Sequence, residues 1–151
     1  MTEHGEPRAT VPLPALLRAA RMVYGAAIRE ALARIDCDDV PKNGVYVLGA
    51  IARAGAPMSE IVRQLGVSKQ AAGQLVDTLV LRGYLDRAVD PEDRRRLTIT
   101  LSERGRAAAA ASRDVVDGIE ADLAQRVGAQ AVAHTRATLL ALIESGRVEH
   151  A

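Results

Sequence analysis

The sequence predicts a mainly α-helical protein with one small β-hairpin, on three observations. Apolar residues recur at helical spacing along most of the 151 residues. The apolar content of 48% is carried by alanine and leucine, with three aromatics in all, Tyr24, Tyr46 and Tyr84; alanine and leucine are strong helix formers. Two short extended segments, "YLDRAVD" and "RRLTITL", flank an Asp-Pro turn at 90–91, and Asp-Pro is a turn signal. The length suits one domain, or one domain with helical extensions, and is enough for a substantial core.

Residues 1–12 are polar and hold two prolines, and are expected to form a loose arm. From Leu13 the apolar positions run Leu16, Leu17, Ala20, Val23, Tyr24, Ala27, Ile28, Ala31, Leu32, Ile35, a helical stripe of about six turns. Pro14 is tolerated in the first turn, where its missing N–H has no intrahelical partner to lose. "DCDDVPKNG" breaks the stripe, and a second helix is expected from about Lys42 to Arg53 with Val45, Leu48 and Ile51 inward. "MSEIVRQLG" reads as a short third helix with Ile61, Val62 and Leu65 inward, stopped by Gly66. Ser68 is positioned to cap a fourth helix, which runs to about Arg82 and ends at Gly83. The hairpin follows. Ser102 then opens a long helix through "RAAAAASRD", with Val115, Ile119, Leu123 and Val127 four residues apart. Gly128 interrupts it, and a last helix carries Val132, Leu139, Leu140 and Ile143 to about Gly146.

Two short helices separated by "LGVS" make a helix-turn-helix, and a hairpin directly after it makes the unit winged. The expected organisation is therefore a flexible arm over 1–12, a winged helix-turn-helix lobe over 40–101, and a helical dimerisation region over 13–37 and 102–147. The long apolar-striped helices at the two ends need a partner surface, and a second copy of the chain supplies one.

In the fourth helix Ala72, Leu75, Val76 and Leu79 form the inward face. Gln70, Gly73, Gln74 and Asp77 lie on the other side, with Ser68 and Lys69 at the helix start. The first residues of a recognition helix are those that meet base edges in the major groove, helix N-termini attract phosphate, and glutamine can pair with adenine through two hydrogen bonds. Gly73 would let the helix backbone approach DNA closely. A solvated helix face accounts for the same polar row, so the spacing alone leaves both readings open.

The hairpin tip tilts the balance. Arg94, Arg95 and Arg96 stand beside Glu92 and Asp93. As surface ion pairs they would contribute little. A wing, however, carries its tip to the minor groove when the recognition helix occupies the major groove, and narrow A·T minor grooves attract arginine. A neighbouring carboxylate can hold the guanidinium in one orientation. Net charge adds little: the formal total is +1, with residues 53–106 holding ten Arg/Lys against seven Asp/Glu.

The stretch "MSEIVRQLGVSKQAAGQLVDTLVLRGYLDRAVDPEDRRRLTITLSERG", residues 58–105, resembles the MarR family of bacterial winged-helix regulators, most closely in "DPEDRRR". The resemblance covers about a third of the chain in motif; the flanking helices agree in order and length. It implies an obligate homodimer built by the first and last two helices, with residues 68–82 in the major groove and the wing, 90–96, in the minor groove of a pseudo-palindromic double-stranded DNA operator. It matches Asp93 and Arg95 to the family's wing Asp-x-Arg, which implies minor-groove insertion of Arg95 oriented by Asp93, with Arg94 and Arg96 on phosphates. It implies repression as the common mode, and release by a small phenolic or lipophilic effector held between the lobe and the dimer helices. Gly73 and Gln74 depart from the Thr or Ser and then Arg that the family often has there. Asp77 fits the family's "LVD" and reads as structural.

Other classes are disfavoured. His4, His134 and His150 are scattered, and no His/Cys/carboxylate cluster has metal-ligand spacing, so neither catalysis nor a cofactor is expected. Tyr24 and Tyr46 could touch an effector, though core or interface packing explains them more simply. Cys37, the single cysteine, excludes an intrachain disulfide, and its neighbours Asp36, Asp38 and Asp39 argue against a reactive thiolate. Glu3 and Glu6 do not fit a signal peptide, and no segment reaches the roughly 18 apolar residues of a membrane span; a cytoplasmic location is the expectation. A winged helix used as a protein-interaction module, without specific DNA binding, is the rival reading that the near-neutral charge keeps open.

Overall fold

The structure, a computed structural model, describes residues 11–54, 58–92, 94 and 97–148. Among them the order is α1 (Leu13–Ala33), α2 (Gly44–Ala54), α3 (Met58–Leu65), α4 (Lys69–Leu81), β1 (Leu85–Val89), β2 (Leu97–Leu101), α5 (Glu103–Val127) and α6 (Ala129–Val148). This is a mainly α fold with a two-stranded hairpin. The strands are antiparallel, with Leu85 opposite Leu101 and Val89 opposite Leu97.

Two helix boundaries differ from the periodicity, for the same reason. α1 ends at Ala33, short of Ile35, because Asp36 takes a left-handed backbone (φ 56) and Cys37 N–H turns back to the Leu32 carbonyl at 2.9 Å. α2 starts at Gly44 rather than Lys42 because Asn43 is also left-handed (φ 67). Asp and Asn are the non-glycine residues that tolerate this region best. At the other end, α6 continues through Gly146 to Val148.

The chain divides into two compact units, residues 1–113 and 114–151. In the first, one core gathers Leu32 from α1, Val47, Leu48 and Ile51 from α2, Ile61 from α3, Val76 and Leu79 from α4, and Tyr84 and Leu85 at the start of the hairpin. Val45, which the periodicity places inward, packs only partly buried at its edge, whereas Val47 is fully enclosed. Gly66 turns the chain between α3 and α4 with φ 62, a conformation that glycine adopts without steric cost. Most of α1 before Gly25 lies outside this core: Leu13, Leu16, Leu17 and Val23 are exposed.

α5 begins in the first unit. Ser102 caps it: its Oγ accepts from Gly105 N–H at 3.0 Å and donates to the Gly83 carbonyl at 2.6 Å. Its N–H reaches the Tyr84 carbonyl at 3.1 Å. This brings the first turn of α5 so close to Tyr84 that a Cβ at position 105 would lie 1.9 Å from the Tyr84 carbonyl oxygen. The second unit holds the rest of α5 and α6, which meet at Gly128 and are bridged by the Arg136–Glu120 ion pair. Leu123, Val127, Leu140, Leu142 and Ile143 are exposed on it.

Candidate nucleic-acid interface

α4 is built to present one face. Ser68 takes an extended backbone (φ −64, ψ 156), and its Oγ accepts from Ala71 N–H at 3.1 Å, satisfying one of the unpaired donors at the helix start. Ala72, Val76 and Leu79 have no exposed surface and hold the helix down. The 3.6-residue period then leaves Ser68, Lys69, Gln70, Gln74 and Asp77 exposed, with Gly73 half-buried at the edge of that face. Thr78 turns its hydroxyl back onto the Gln74 carbonyl at 2.8 Å. The candidate residues of this helix therefore lie together on one capped surface.

The hairpin carries the rest. Asp90 shapes the start of its turn by accepting from Glu92 N–H at 2.9 Å, and Thr98 Oγ1 ties β2 to the Ala88 carbonyl at 3.2 Å. Arg94 is exposed in the turn. Asp93, Arg95 and Arg96 lie outside the described residues.

The sequence reading missed what joins helix and hairpin. The Asp77 carboxylate pairs with the guanidinium of Arg87 on β1, so the exposed row of α4 and the inner strand of the wing are held as one surface. No periodicity signals this pair, because its members belong to different elements. It also missed Arg104, which binds the Asp39 carboxylate and the Asp36 carbonyl at 2.9 Å each and the Arg82 carbonyl at 2.6 Å. Its guanidinium stacks 4.3 Å from the Tyr84 ring centroid. The buried Tyr84 hydroxyl donates to Asp39. That hydrogen bond, with Arg104 beside it, holds the Asp39 carboxyl below its ordinary range. Burial, and then the Asp39 carboxylate, push the Tyr84 hydroxyl well above its ordinary value. This cluster anchors the α1–α2 connection and the start of α5 behind the hairpin.

Cys37 is buried in the core. Among the described residues no group of three or more His, Cys, Asp or Glu is placed to hold a metal ion, and no helix is long and apolar enough to cross a membrane.

A short helix pair turned by Gly66, followed by a hairpin tied to the second helix, defines a winged helix-turn-helix. Residues 39–96 match the sequence model of the MarR family. The fold as a whole is similar to MarR from E. coli in its reduced form (24% identity, TM-score 0.64, covering 91% of this chain and 98% of that one). It is similar to RV1404 from Mycobacterium tuberculosis (25% identity, TM-score 0.63, 94% and 96%). It is also similar to a MepR variant from S. aureus bound to an oligodeoxyribonucleotide (20% identity, TM-score 0.51, 89% and 98%) and to MepR bound to ethidium bromide (20% identity, TM-score 0.56, 89% and 96%). No curated protein sequence matches the chain.

Proposed function

We propose that the protein is a homodimeric, sequence-specific double-stranded DNA-binding regulator, working as a repressor that a small lipophilic or phenolic effector releases. The observation that carries this reading is the single surface made by the capped face of α4 and the wing strand, joined through Asp77 and Arg87. Ser68, Lys69, Gln70, Gly73 and Gln74 enter the major groove at the start of α4. The wing tip reaches the minor groove through Arg95, oriented by Asp93, while Arg94 and Arg96 meet phosphates.

Dimerisation is supported by the apolar residues that the single chain leaves exposed on α1 and on the second unit. A soluble chain seldom leaves so many large apolar side chains uncovered without a partner for them. A dimer presents two copies of α4 to half-sites one helical turn apart, which is why a pseudo-palindromic operator is expected. The oligonucleotide and ethidium complexes of MepR support DNA and a flat aromatic ligand as partners of this fold. A ligand with different affinity for two dimer geometries shifts the balance between them. The role is that of a cytoplasmic, non-enzymatic regulator.

The test is fluorescence anisotropy on the gene's own upstream DNA and on scrambled DNA over a salt series, with wild type and Arg95→Ala. Tight binding to the specific duplex with a steep salt slope, weakened by the substitution, is expected, because neutralising phosphates releases counterions. No binding to any duplex, even one selected from random sequence at low salt, would overturn the reading. It would leave a winged-helix protein-interaction module, which the net charge of +1 also fits.

A further inference from the structure

We infer that Gly73 is a seat for the sugar-phosphate backbone of one DNA strand, at the point where that strand crosses between the groove occupied by α4 and the groove reached by the wing. This rests on the DNA-binding reading above and assigns Gly73 to backbone contact rather than base reading.

Gly73 is a glycine that the fold does not need. Gly73 lies inside α4, with no positive φ. A Cβ built there meets nothing within 4 Å. Glycine in a helix interior is markedly less favourable than alanine, and here neither steric crowding nor backbone conformation compensates. At Gly105, by contrast, the added carbon would collide with backbone. The space beside Gly73 is open, as it is at Gly118 and Gly146; what sets Gly73 apart is its place on the helix that carries the candidate DNA-contact row, beside the wing strand.

Its position says what fits that space. Gly73 and Asp77 are four residues apart and share one column of the helix. Asp77 is tied to Arg87 of β1, so this column is the flank of α4 that faces the wing. The outermost line of α4 instead carries Gln70, Gln74 and Leu81, all exposed. A duplex with α4 in its major groove and the wing in the adjacent minor groove must pass one strand's backbone between the two elements. That strand runs over the Gly73 flank. With no side chain there, the ribose and phosphate can sit against the helix backbone, with the cation of Lys69 one turn away on the same column.

The experiment compares full-length wild type, Gly73→Ala and Gly73→Val by thermal unfolding and by anisotropy on a selected duplex and on scrambled DNA across a salt series. Gly73→Ala is expected to raise Tm by about 2–4 °C through helix propensity. It should lose roughly tenfold or more in affinity on both duplexes alike, with a shallower salt slope as about one phosphate contact is lost. Gly73→Val should bind more weakly still. Affinity equal to wild type in Gly73→Ala would overturn the assignment. So would a loss confined to the selected duplex with the salt slope unchanged, which marks base reading, or a lowered Tm, which marks a glycine the fold requires. A wild type that binds no duplex overturns this inference and the regulator reading together. Wild-type binding that survives in Gly73→Ala overturns this inference alone.

Discussion

Replacing Gly105 by alanine should damage the protein far more than its place in a helix suggests. Judged by helix propensity alone, the change would stabilise α5 by about 1 kcal/mol. The tertiary structure reverses the sign. The new Cβ would lie 1.9 Å from the Tyr84 carbonyl oxygen and 3.0 Å from its carbon, so α5 and the 83–85 segment must separate by about 1 Å or more to restore a tolerable contact. Tyr84 cannot yield easily, because its ring is fully buried, stacked under Arg104 and bonded through its hydroxyl to Asp39. The helix start must move instead. That movement breaks the bonds from Ser102 N–H to the Tyr84 carbonyl and from Ser102 Oγ to the Gly83 carbonyl. Overpacking costs about 1–3 kcal/mol and each hydrogen bond about 0.5–1.5 kcal/mol net, so the loss should fall at about 2–6 kcal/mol against a typical domain stability of about 5–15 kcal/mol. Urea unfolding followed by circular dichroism, with wild type and variant at the same protein concentration, measures it. A variant within about 1 kcal/mol of wild type would refute the reasoning, since it would mean that the close approach of α5 to Tyr84 is absent or free to relax.

Three smaller effects follow from the same structure. Ser68→Ala removes the cap of α4 and should cost about 1 kcal/mol in urea unfolding, with weaker DNA binding in the anisotropy assay; unchanged stability would mean that the Ser68–Ala71 bond contributes nothing. A double-mutant cycle of Asp77→Ala and Arg87→Ala should give a coupling of only about 0.2–1 kcal/mol in stability, as expected of an exposed ion pair, and a coupling well beyond that range would contradict the exposure of both side chains. Stability should also depend on pH at both extremes. Asp39 is held below its ordinary value of 3.8, so its contribution is present above that pH and is lost as pH falls below it. Tyr84 is held above its ordinary 10.0, so its contribution is present below that pH and is lost as pH rises beyond it. Asp39→Asn should flatten the acid limb of a melting-temperature profile, and an acid limb unchanged in that variant would remove Asp39 as its source.

Among the described residues the order of six helices and one hairpin was legible in the sequence, and so was the direction of the α2, α3 and α4 faces, because both follow from local repetition. Ala72, Val76 and Leu79 are buried where their spacing places them, and Ser68 caps the helix it precedes. The polar row of α4 and the charged turn were visible for the same reason: each is a pattern within one element. The turn at Asp36 and Asn43 was less legible, since whether Asp or Asn goes left-handed depends on the packing that the turn must serve. Pairings between elements left no periodic trace at all. Arg87 reads as one charge in a strand until β1 is laid beside α4, where it meets Asp77. Arg104 reads as a helix-start cation until Asp36, Asp39, Arg82 and Tyr84 converge on it from two other parts of the chain. The two glycines make the same division from opposite sides. In the sequence, Gly73 and Gly105 are both residues that weaken a helix. Only the packed structure distinguishes them, because a missing side chain takes its meaning from what occupies the space around it: a backbone carbonyl at 105, and nothing of this chain at 73.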